Sequence, residues 1–134
     1  MTTREIVVEG WPSPKGYANG RVGIGEVLHI GGQIGWDVRG SFDHHGIVAQ
    51  FANALDNVLA VVRAAGGTAS DIAAMTVYVT DVVEYRQARE QIGPVWRDRM
   101  GRHYPAMALV AVVALVEPEA VVEIEAVAYL GACT

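Results

Sequence analysis

The chain is poor in the residues that build several common kinds of site. Cys133 is the single cysteine of 134 residues, so no intrachain disulfide can form, and with one residue after it the thiol reads as part of a frayed tail. The adjacent His44 and His45 lack a spaced third ligand, which argues against a metal site. Basic residues number ten against fifteen acidic ones, for a net charge of −5. Apart from Arg97, Arg99 and Arg102 they are scattered, so a phosphate backbone finds no basic stripe and nucleic acid is not the expected partner. No uninterrupted apolar run approaches the roughly 18 residues of a membrane span. Met1-Thr2-Thr3-Arg4-Glu5 is not the basic start of a signal peptide, and a cytoplasmic location is expected. The glycine-rich stretch Gly31-Gly32-Gln33-Ile34-Gly35 is not a GxGxxG fingerprint and has no βαβ context, so it does not predict a phosphate cradle.

What is present is apolar. Such residues make up 51% of the chain, and the mean hydropathy is +0.25. The length suits one domain, residues 1–134, and the apolar excess suits a subunit that buries surface against copies of itself.

Arg4 to Val8 reads as a first strand, ended by the Pro- and Gly-rich loop Gly10 to Gly16. Arg21–Ile24 and Val27–Ile30 flank Gly25-Glu26 as a hairpin, so the first three strands are expected to form one small antiparallel group, closed by the glycines at 31–35. Ile47, Phe51, Leu55, Val58, Val62 and Ala65 mark one face of a helix that stops at Gly66-Gly67. Met75–Thr80 alternates as a strand, and Asp81 is placed to cap a second helix carrying Tyr85, Ala88, Ile92, Trp96 and Met100, with a kink or break expected at Gly93-Pro94. Ala106–Leu115 reads as a strand buried on both faces. In the last strand, Val121–Leu130, Val122, Ile124, Ala126, Ala128 and Leu130 share an apolar face while Glu123 and Glu125 share the other. The order β-β-β-α-β-α-β-β predicts an α+β fold in which two helices cover one face of one mixed sheet, leaving the other face for neighbouring subunits.

Seven short motifs, spread over about residues 16 to 130, resemble the reactive-intermediate deaminase family, the YjgF/YER057c/UK114 group (RidA proteins). They are Gly16-Tyr17-Ala18-Asn19-Gly20, Ile30-Gly31-Gly32-Gln33-Ile34, Leu55-Asp56-Asn57-Val58, Ala64-Ala65-Gly66-Gly67, Val77-Tyr78-Val79-Thr80-Asp81, Tyr104-Pro105-Ala106 and Glu123-Ile124-Glu125-Ala126. The resemblance implies a chorismate-mutase-like subunit, a homotrimer with its sheets packed into a central barrel, small-molecule clefts at the subunit interfaces, and no metal or organic cofactor. It also implies hydrolysis of enamines and imines, with Tyr17 beside the ligand and Glu123 holding the hydrolytic water. Gly31, Gly32, Met107, Leu109 and Glu125 fall at or beside substrate-binding positions.

Two of those positions depart from the deaminating pattern. Gly31 stands where those members have serine, and Met107 where they have an arginine that clamps the substrate carboxylate; Leu109 occupies the place of a frequent cysteine. Methionine has neither the charge nor the donors for a bidentate contact, so the expected substrate is apolar or lacks a carboxylate at that end. Arg21, Arg102, Trp36 and His103 are candidates to rim the cleft, and either arginine could stand in for the clamp. Glu123, between Val122 and Ile124 and two residues from Glu125, suits a carboxylate whose pKa is raised by desolvation and a like charge. Plainer roles stay open: interface packing for Tyr17 and Met107, and an ion pair for Glu125. The functional alternatives are a non-catalytic binding or chaperone-like trimer and, less favoured by the charge, an endoribonuclease.

Overall fold

The computed structural model describes residues 2–42 and 46–131; His44, His45 and Cys133 lie outside the described residues. Six strands, β1 (Thr3–Ile6), β2 (Gly20–Gly23), β3 (Glu26–Ile34), β4 (Ile72–Val79), β5 (Ala106–Ala111) and β6 (Val122–Leu130), alternate with helices α1 (Ile47–Ala64) and α2 (Val82–Met100) in the expected order. The main sheet runs β3-β6-β4-β5, with β6 antiparallel to both neighbours and β4 parallel to β5. Strands β1 and β2 form a separate two-stranded ribbon.

That ribbon corrects the expected three-stranded group. Between β2 and β3, Gly25 takes a φ of 127°, and a Cβ there would lie 1.9 Å from the Leu130 carbonyl oxygen. The chain turns tightly against the end of β6, so β3 pairs with β6 rather than folding back on β2. The glycines at 31 and 32 lie inside β3, at a register shift between Ile30 and Gln33, and close no hairpin.

Helix α1 buries Phe51, Leu55, Val58 and Val62 among its apolar stripe, against β3, β6 and α2. It is long and apolar enough to cross a membrane by composition, yet here it is the core helix. Gly66 and Gly67 end it: their N–H groups donate to the Arg63 and Val62 carbonyls, 2.9 Å each, with Gly66 at φ 89°. Asp81 caps α2, accepting from the Val83 and Glu84 N–H groups. Glu84 in turn accepts from the Ile47 N–H at the start of α1, and Arg99 pairs with Asp56 in the middle of α1 at 2.7 Å, so α2 is tied to α1 near both of its own ends. Helix α2 runs unbroken through Pro94, where a break had been one of the two expectations.

The strand expected over 106–115 stops at Ala111, and it is an edge. Among the described residues its one ladder partner is β4, which ends at Val79 where Asp81 caps α2, so the pairing stops with the Val112 N–H donating to the Val79 carbonyl. Val113 and Val116 are fully exposed, and Ala108 and Val110 are exposed on the face of β5 away from the helices. In β6, by contrast, Val122, Ile124, Ala126 and Ala128 are buried under the helices as the alternation requires.

Candidate functional site

The sheet has two faces, and register assigns each candidate residue to one. Met107 pairs with Met75 and Leu109 with Val77, both on the side covered by helices. Glu123 pairs with Tyr78 and Glu125 with Thr76, on the uncovered side. Within one chain the sheet separates Glu123 from Met107.

On the helix side, Tyr17, Met107 and Leu109 line a cavity of about 430 Å³ together with Phe51, Val77, Tyr85, Ile92, Gly93 and Trp96. Tyr17 reaches it because Ala18 is stitched to the start of β5: its N–H donates to the Pro105 carbonyl at 2.9 Å, and Ala18 bridges Ala106 in parallel. Tyr104, also in the lining, stacks on Trp96 with ring centroids 5.9 Å apart and planes 3° from parallel. The Trp96 indole N–H donates to the His103 carbonyl, and His103 Nε2 donates to the Ile72 carbonyl at 2.7 Å. Burial holds the His103 pKa below its ordinary value, and the same cause pushes the Tyr85 phenol up, with Arg89 nearby pulling it back. His103 is therefore a strut behind the cavity and not part of its rim.

The cations of the cavity are not those expected. Arg21 donates to the Thr3 hydroxyl at 3.2 Å and the Tyr104 carbonyl at 3.3 Å, and with Arg102 it faces a neighbouring groove. Trp36 faces Phe42 instead. The cations that do line the cavity are Lys15, Arg89 and Arg97, and among the described residues no carboxylate lines it. Their presence gives the cavity a cationic side beside its apolar wall. The signal was available: in α2, Arg89, Gly93 and Arg97 each follow one residue behind an apolar position, Ala88, Ile92 and Trp96, and so flank the buried stripe.

On the uncovered side, Glu123 is half-buried and Glu125 exposed. The Tyr78 hydroxyl donates to Glu125 Oε1 at 2.6 Å, and this bond, with desolvation and the two carboxylate charges, raises the phenol pKa. Gly32 makes room for Glu123: a Cβ at position 32 would fall 2.5 Å from its Oε2. A Cβ at Gly31 would meet nothing within 4 Å. Gly31 and Glu125 share a shallower depression of about 340 Å³. Among the described residues no group of three His, Cys, Asp or Glu side chains could hold a metal ion.

The family model described as Endoribonuclease L-PSP, which covers the YjgF/RidA proteins, matches residues 11–130. The chain belongs to this family. A RutC family protein of Pyrococcus horikoshii is 32% identical over 125 residues, which is 92% of this chain and 95% of the relative. A Rid family protein from Yersinia pestis superposes with a TM-score of 0.83 at 31% identity, covering 97% of this chain and all of the other. RidA from an Antarctic Psychrobacter gives a TM-score of 0.68 at 30% identity, with coverages of 95% and 99%. The family's α+β architecture, a mixed sheet under two helices, is the one found here.

Proposed function

We propose that this member of the family hydrolyses an enamine or imine with an apolar body, in a cleft formed where the uncovered sheet face of one copy meets the cavity of another, as in a homotrimer. The observation that carries this reading is the division of the site. Glu123 stands on one face with its carboxylate seated over Gly32, and Tyr17 and Met107 line a cavity on the other. Chemistry that uses both groups needs two copies.

In the reaction, an enamine first tautomerises to the imine. Water then adds to the imine carbon, the C–O bond forms, and Glu123 takes a water proton and passes it to nitrogen. The second proton follows the same route from the carbinolamine hydroxyl as the C–N bond breaks, leaving a carbonyl product and ammonia. Tyr17 orients the substrate plane. Phe51, Val77, Ile92, Met107 and Leu109 supply the apolar wall for its body.

The test is competition with semicarbazide for imines made in situ by amino-acid oxidases, across acidic, aromatic and aliphatic amino acids. Accelerated loss of aromatic or aliphatic imines, abolished by Glu123→Ala, is the expected result. Wild-type silence across the whole series would refute hydrolysis and favour the second reading, a binding protein, which the replacement of the family's arginine and serine by Met107 and Gly31 supports. The ribonuclease reading has the net charge of −5 against it.

A further inference from the structure

The cavity mouth carries charge of one sign in a chain whose net charge has the other. Lys15, Arg89 and Arg97 are exposed residues of its lining, and none makes a salt bridge or side-chain hydrogen bond among the described residues. Arg89, Gly93 and Arg97 follow at four-residue steps and so share one face of α2. The Arg97 guanidinium lies back over Gly93, with Nη1 3.6 Å from where a Cβ would stand. Side chains on a helix lean toward its N-terminus, so this fold brings Arg97 toward Arg89 across a residue with no side chain in the way. Three unpaired cations around one opening repel each other and leave a place for a counter-charge.

We infer that Lys15, Arg89 and Arg97 are the anchor for an organic carboxylate, held at the mouth while its apolar body enters between Phe51, Ile92 and Met107. This rests on reading the cavity as the substrate half-site. It replaces the missing strand-borne clamp with a helix-borne one. The new anchor lies farther out, because Arg89 and Arg97 are exposed whereas Met107 is half-buried. A small acid fixed at the mouth leaves the cavity empty, so the preferred ligand has an aryl or long alkyl body.

Calorimetric titration of the intact protein with 3-phenylpropanoate and with its neutral amide tests the assignment. The carboxylate is expected to bind about tenfold more tightly than the amide, through charge-assisted hydrogen bonds, with the preference shrinking as salt rises. Arg89→Gln with Arg97→Gln is expected to bring the carboxylate down to the level of the amide and leave the amide unchanged; Gly93→Leu, which displaces Arg97, moves it partway. Equal affinities in wild type, a preference that survives the double variant, or no binding of either probe would each overturn the anchor. The two readings fail separately: a failed hydrolase reading shows as wild-type silence in the semicarbazide assay with the carboxylate preference intact.

Discussion

Gly32→Ala is the sharpest test of Glu123, because it is expected to improve the fold and disable the site. A Cβ at residue 32 would lie 2.5 Å from Glu123 Oε2, 2.8 Å from Cδ and 3.1 Å from Cγ, and no backbone atom is among its nearest contacts. Ordinary contact begins at 3.4 Å, so the carboxylate must retreat by 3.4 − 2.5, or about 0.9 Å. A misplacement of about 1 Å can lower a rate by about 100-fold. The backbone has no reason to resist: Gly32 is outside the left-handed region, and removing a glycine's unfolded-state freedom contributes about 0.4–1 kcal/mol of stability. Steady-state imine hydrolysis beside thermal melting measures both effects. The expected result is a kcat down by about 100-fold with an unchanged or raised Tm. Gly31→Ala, whose Cβ meets nothing within 4 Å, is the control and should keep its activity. Wild-type kcat in Gly32→Ala would refute a role for the observed Glu123 position, and equal loss in Gly31→Ala would show mere intolerance of the bulge.

Three further outcomes are expected. Gln50, fully buried on α1, donates to the Glu119 carbonyl and accepts from the Val121 N–H, both at 2.9 Å, so Gln50→Leu should cost about 2–4 kcal/mol in urea unfolding by orphaning two backbone groups. His103 has a lowered folded pKa; its stabilising contribution is therefore complete above the ordinary histidine value of 6.5 and is lost as pH falls below it toward the folded value, and His103→Asn should flatten that part of the stability profile. Met107→Arg, which restores the strand-borne cation on the cavity wall, should confer turnover of small 2-imino acids in the semicarbazide assay, and no gain would mean that the clamp position alone does not set substrate size.

Legibility in the sequence followed the locality of the physics. Alternation in β6 assigned Glu123 and Glu125 to one face and Val122, Ile124 and Ala126 to the other, because strand pleating depends on nothing beyond the strand. The Gly66-Gly67 stop and the Asp81 cap were equally local. What failed depended on partners. Gly25 looked like a hairpin turn, but what leaves no room for a side chain there is the Leu130 carbonyl, more than a hundred residues on. The run 106–115 looked doubly buried because apolar composition cannot show that β4 ends at Val79. Gln50 was invisible as a buried polar clip, since its partners are backbone groups of a distant loop. Arg21 was a plausible clamp until Thr3 and the Tyr104 carbonyl claimed its donors.

By the same alternation that made β6 legible, any site that used both Glu123 and Met107 would have to be shared between two copies. No rotamer of Glu123 can cross the sheet to Met107, because its neighbours Val122 and Ile124 are locked into the core at full burial. The two half-sites also carry opposite charge: Glu123, Glu125 and a phenol held protonated on one face, and Lys15, Arg89 and Arg97 at the cavity mouth of the other. In the proposed cleft these surfaces attract, which favours pairing the face of one copy with the cavity of another over pairing like with like. A carboxylate substrate fits the same arrangement. Anchored among Lys15, Arg89 and Arg97 in the proposed cleft, its charge is neutralised by three cations, so the Glu123 that takes a proton from water in the proposed reaction does not face an unpaired like charge.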